Sequence, residues 1–101
     1  MDVIFIYKDL YSSKKLDCVE KYVLTQIRYG TEKFGQFTPS CTKLAEYCDY
    51  AYDAGQIKFC IDKLAGVGVL EKNEVEVSLD GKEPYKATAL KINEKLLKNL
   101  I

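Results

Sequence analysis

In the middle of the chain, apolar residues recur twice in quick succession at helical spacing. Cys41, Leu44, Ala45 and Cys48 form one stripe, with Thr42, Lys43 and Glu46 on the opposite face. Ile57, Cys60, Ile61 and Leu64 follow at i, i+3, i+4 and i+7, opposite Gln56, Lys58, Phe59 and Asp62. Thr38 is a good N-cap and Pro39 suits a first helical position, because its missing N–H would have no partner there; this predicts a helix over about 39–48. Asp53 and Gln56 have the spacing of a capping box, and Tyr52 and Ile57 that of a hydrophobic staple. Together they predict a second helix over about 53–65. Gly66 and Gly68 can take the left-handed conformation that ends it. Two short capped helices joined by a tight turn are the layout of a helix-turn-helix.

Beyond Leu70 the period changes from helical to alternating. Val75, Val77 and Leu79 alternate with polar residues, Asp80-Gly81 suits a tight hairpin turn, and Tyr85 to Ile92 can pair back, which predicts a wing over about 69–92. Asn93 can cap a last helix over about 93–101, with Leu96, Leu97, Leu100 and Ile101 as its stripe; so short a helix needs packing on this domain or on a second copy. Upstream, Val3 to Tyr7 is a short β-branched and aromatic run and reads as a buried strand. Ser12 and Ser13 offer caps for the next element. Leu16, Val19, Val23, Leu24 and Ile27 share one face of a helix over about 14–28, which Tyr29-Gly30 ends. Phe34 and Phe37 in the following loop are expected to fold back on the core. The predicted order is β-α-α-α-β-β-α, mainly α with a small β-hairpin (α+β), as one winged helix-turn-helix domain over 1–101.

The order strand, helix and Gly-containing loop, then Thr38-Pro39-Ser40 ahead of the second helix and KLAGVGVL (Lys63 to Leu70) closing the third, resembles a known family over roughly 3–92. It is similar to the winged-helix modules of replication and regulatory proteins from phages, plasmids and Firmicute-type bacteria, with the DnaD-like N-terminal domain as a relative. The resemblance implies that the second helix of the motif enters the major groove while the wing reaches phosphate or the minor groove. Position by position it implies contacts from Ala54, Gln56, Lys58 and Phe59, with Ser40, Thr42 and Lys43 near the backbone and Lys72, Lys82 and Lys86 on the wing. The chain departs from the family at the start of that helix. Where such modules commonly show Ser-Arg-Arg-Thr, it has Asp53-Ala54-Gly55-Gln56, and Lys58 faces Glu46, Asp49, Asp53 and Asp62.

Charge and composition bear on that departure. Fifteen Lys plus Arg balance fifteen Asp plus Glu, and Arg28 is the sole arginine, so composition supplies no net attraction for a polyanion. The chain has no His, no Gly-rich phosphate loop and no serine nucleophile elbow, which argues against an enzyme. Cys18, Cys41, Cys48 and Cys60 lack the paired spacing of zinc modules. Cys41, Cys48 and Cys60 fall on inner helix faces, so neither metal nor cofactor is expected. No run is long enough to span a bilayer and no secretory signal is evident, so the expected setting is cytoplasmic, without membrane.

Two functions follow as expectations. One is a double-stranded DNA-binding protein, as a homodimer, in transcription regulation, replication initiation or partition, with Gln56 as the base reader. The other is a winged-helix module for protein–protein contact, of the primosome-assembly type or as a phage-encoded binder of a host protein. On that reading Tyr50, Tyr52, Phe59 and the acidic patch meet the partner, and either the N-terminal strand or the C-terminal helix, through Leu96, Leu97 and Leu100, joins subunits.

Overall fold

A computed structural model describes residues 7–78 and 81–101. In chain order these form α1 (Lys8–Tyr11), α2 (Cys18–Phe34), α3 (Cys41–Tyr47), α4 (Ala54–Gly66), β1 (Leu70–Val77), β2 (Tyr85–Ile92) and α5 (Glu94–Leu100). The fold is mixed α and β, and β1 and β2 pair antiparallel from Leu70↔Ile92 to Val77↔Tyr85.

The caps decide where the helices begin. Asp17 and Glu20 form a complete capping box, each side chain accepting from the other's backbone N–H at 2.8 and 2.9 Å. The first long helix therefore starts four positions later than the 14–28 reading. Ser12 and Ser13 are used elsewhere: the Ser12 hydroxyl donates to the Lys8 carbonyl at the end of α1, a helix the hydrophobic pattern did not reveal, and Ser13 accepts from the Lys15 N–H. The strand expected over 3–7 lies mostly outside the described residues, and Tyr7 itself is the N-cap of α1.

Gly30 does not end α2. The helix runs on to Phe34, and the Phe37 ring lies against the Gly30 Cα, in the space a β-carbon would take. Phe37 thus folds back on the core as expected, whereas Phe34 stays 67 % exposed. The Phe37 carbonyl also accepts from the Leu90 N–H at 2.9 Å, which keeps the chain extended into Thr38 and Pro39. For that reason the next helix starts after Ser40, not at Pro39: the Ser40 side chain accepts from the Lys43 N–H at 3.1 Å, the role assigned to Thr38.

Asp53 and Gln56 form the capping box expected of them. Between α3 and α4 the backbone turns through two left-handed residues, Asp49 (φ 52) and Tyr50 (φ 60), and the Tyr50 N–H donates to the Ala45 carbonyl at 2.8 Å. Gly68 (φ 87) supplies the left-handed turn into β1, while Gly66 is the last residue of α4.

The core joins all of these elements. Val23, Leu24 and Ile27 of α2, Leu44 of α3 and Ile57 and Leu64 of α4 are buried together with Leu70, Leu90 and Ile92 at the base of the hairpin. The buried Tyr22 hydroxyl donates to the Leu44 carbonyl at 2.6 Å and ties α2 to α3. Further out the hairpin leaves the core: Val75 and Val77 are only half-buried, and Leu79 and Asp80 lie outside the described residues. Ladder pairing ends at Val77↔Tyr85, and the tight hairpin turn expected at Asp80-Gly81 lies partly outside the described residues. Pro84, which has no N–H to give a ladder, stands just before β2. Asn93 caps α5 by accepting from the Leu96 N–H, and Leu97 anchors the helix in the core at 1 % exposure.

Candidate functional site

The turn at Asp49 and Tyr50 sets α4 across α3, with Ile57, Cys60, Ile61 and Leu64 inward. Gln56, Lys58, Phe59 and Asp62 face outward, and Ala54 is half-buried. Phe59 is 73 % exposed, a large apolar group in the middle of that face. The polar groups around it are already engaged with one another. The Gln56 side-chain oxygen accepts from the Asp53 N–H at 3.0 Å and is committed to the cap. Asp62 holds two ammonium groups, Lys72 of β1 at 2.6 Å and Lys58 at 2.9 Å. Those bonds, Lys72 first, pull the Asp62 carboxyl down to about 2, and the Asp62 contact raises the Lys58 ammonium above its ordinary value.

The remaining residues assigned to DNA contact are dispersed. Ser40 is used as a cap, Thr42 is exposed beside it, and Lys43 pairs with Glu46 at 3.2 Å. Lys82 and Lys86 are exposed on the hairpin, and among the described residues neither has a carboxylate within ion-pair distance. Arg28, the residue type best suited to guanine, is internal. It holds Glu94 of α5 through two bonds at 2.8 and 3.1 Å and Asp9 of α1 at 2.9 Å, and its guanidinium lies 4.9 Å from the Tyr7 ring centroid.

Of the residues assigned to a protein interface, Tyr50 is exposed, while Tyr52 is half-buried with its ring 5.8 Å from that of Tyr22. Burial raises the Tyr52 phenol above its usual range. Leu96 is partly exposed and Leu100 is half-buried against the core. Leu97 is spent inside the chain and has no free surface for a second subunit, which corrects its assignment: the Asn93 cap turns it inward.

Two concave regions escaped the hydrophobic pattern. A groove of about 700 Å³ runs between the segment before α3 and strand β2, lined by Phe34, Tyr47 and Tyr85 together with Lys43. A smaller cleft of about 400 Å³ lies where the N-terminal ends of α2 and α4 meet. Val19, Gly55, Phe59 and Cys60 give it apolar walls, and Asp17, Glu20 and Lys63 surround them. The signal for the cleft lay in the sequence as two capping boxes of the same spacing, Asp17/Glu20 and Asp53/Gln56, though nothing in a linear reading places the two helix starts side by side.

Burial pushes the Cys60 thiol up to about 12, so it stays protonated and behaves as part of the apolar wall. Cys41 and Cys48 pack half-buried against the core and Cys18 is exposed. Among the described residues no group of His, Cys, Asp or Glu side chains has the arrangement of a metal site, and no helix is long and apolar enough to cross a membrane. Comparison with family models, curated proteins and solved structures finds no match to this chain.

Proposed function

We propose that the chain is a winged helix-turn-helix domain that works as a protein-interaction module and presents the outer face of α4 to a protein partner. The order α2-α3-α4-β1-β2-α5, with the tight turn between α3 and α4, supports the fold reading. The observation that carries the function is Phe59. It stands 73 % exposed among acidic groups, with the nearby lysines Lys58 and Lys72 both held by the single carboxylate of Asp62. A surface that reads duplex DNA offers uncompensated cations to phosphate and side-chain amides or guanidinium groups to base edges. Here Gln56 is held in the cap and Arg28 in an internal clamp. Aromatic groups, by contrast, are favoured at protein interfaces.

A second reading, duplex DNA binding by a homodimer, is favoured by the hairpin lysines Lys82 and Lys86, exposed and, among the described residues, without a carboxylate within ion-pair distance. The experiment pairs salt-titrated binding of labelled duplex DNA with photo-crosslinking from a benzophenone amino acid at position 59 in the source cells. The protein reading expects no competitor-resistant duplex binding and one discrete protein adduct from position 59. Competitor-resistant binding that Lys82→Ala and Lys86→Ala weaken, with a shallower salt slope, would overturn it in favour of DNA.

A further inference from the structure

We infer that the cleft between the N-terminal ends of α2 and α4 receives a partner segment carrying an apolar side chain next to a lysine or arginine. The inference rests on the protein-interaction reading and names the chemistry of the partner.

The cleft volume of about 400 Å³ is at the small end of the range for binding sites. It suits one or two side chains rather than a cofactor. Its walls explain the apolar part. Phe59 and Val19 stand at its edges, Gly55 puts no side chain into it, and the Cys60 thiol, 4 % exposed and neutral, adds no charge.

Glu20 explains the cationic part. Its side chain is 8 % exposed, and its two oxygens are held unequally. Oε1 accepts from the Asp17 N–H at 2.9 Å, whereas Oε2 faces the Lys63 ammonium at 3.6 Å, beyond hydrogen-bond length. A buried carboxylate is costly unless paired and hydrogen-bonded. Lys63 meets that need at long range, from a side chain that is 55 % exposed. With Asp17 on the same rim, two carboxylates oppose one ammonium, so the cleft is complementary to an incoming cation.

The test uses two probe peptides, amphipathic dodecamers of leucine and lysine or of leucine and glutamate in the same pattern, titrated into isotope-labelled protein. The leucine–lysine peptide is expected to shift the amides of Val19, Gly55, Phe59 and Cys60 and to bind at least about tenfold more tightly than its glutamate counterpart. Phe59→Ser removes an exposed side chain and should weaken binding of the lysine peptide without unfolding the protein. Glu20→Gln keeps a residue that can serve the capping box and deletes the charge. It should abolish the preference for lysine over glutamate while apolar contact remains. Equal affinity for both peptides, shifts confined to other surfaces, or a preference unchanged in Glu20→Gln would overturn the inference. An adduct from position 59 together with silent cleft amides would leave the protein-interaction reading standing and remove this one; no adduct and no shift would remove both.

Discussion

Thr25 carries a hydroxyl into the middle of the core. It is fully buried in α2, and among the described side chains its Oγ1 is the buried polar atom without a hydrogen-bond partner. An unsatisfied buried hydroxyl costs about 1–3 kcal/mol, while its methyl group packs as a valine's would. Thr25→Val should therefore raise stability by about 1 kcal/mol, seen as a higher urea midpoint at unchanged slope. A lower midpoint would mean that the hydroxyl has a partner worth more than its burial costs. Single positions of this kind were only partly legible in the sequence. The stripes containing Leu44, Ile57 and Leu64 showed their burial because period alone sets which face turns inward. The exposure of Phe59 and the long pairing of Glu20 Oε2 with Lys63 depend on neighbours distant in sequence, and period says nothing of those.

Helix ends show the same division between local and distant causes. The boundaries of α4 and α5 follow from Asp53 and Asn93, whose cap bonds close within three residues and can be read from the local sequence. The end of α2 cannot be read that way. Gly30 looks like a helix terminator, but the ring of Phe37 settles on it and holds the backbone helical beneath it. Gly30→Ala sets two effects against each other. Alanine is favoured over glycine in a helix interior by about 1 kcal/mol. Its β-carbon, however, would stand within 2.8 Å of the Phe37 Cε1 and nearer still to Cδ1 and Cγ, so the ring must shift, and overpacking of that kind costs about 1–3 kcal/mol. Moving the ring also disturbs the bond from the Leu90 N–H to the Phe37 carbonyl. Gly30→Ala should therefore destabilise the protein, and in a Phe37→Ala background the same change should become neutral or stabilising. Denaturation midpoints of the four proteins of that cycle test both signs. An unchanged penalty in the Phe37→Ala background would show that the clash is not its cause.

Charge over the whole molecule sums to zero, and much of it is paired within the chain, so pH dependence should report the fold's own interactions. On the acid side, the Arg28 guanidinium holds Asp9 below its usual carboxylate range, and Lys72 and Lys58 hold Asp62 at about 2. Carboxyls depressed in the folded state contribute stability above their unfolded value of about 4 and lose it as pH falls through the folded one. The Asp62 contacts are exposed and screened by salt, so the share that persists at high ionic strength should belong to the Arg28 cluster, whose guanidinium side chain is 11 % exposed. On the alkaline side, burial raises the Cys60 thiol to about 12; burial and the bond to Glu32 raise the Tyr7 phenol to about 12. Here the folded state favours the neutral form. Its stabilisation is complete below the unfolded values of 9.0 and 10.0 and is lost as pH climbs from there towards about 12. The chain has no His, the side chain whose ordinary value lies nearest neutral pH. Urea midpoints should thus hold a plateau from about pH 5 to about pH 8, fall towards about pH 2 and fall again above about pH 9. Cys60→Ala should flatten part of the alkaline limb, whatever it does to the height of the plateau. A step centred near neutral pH, or an alkaline limb unchanged in Cys60→Ala, would contradict the assignment of these groups.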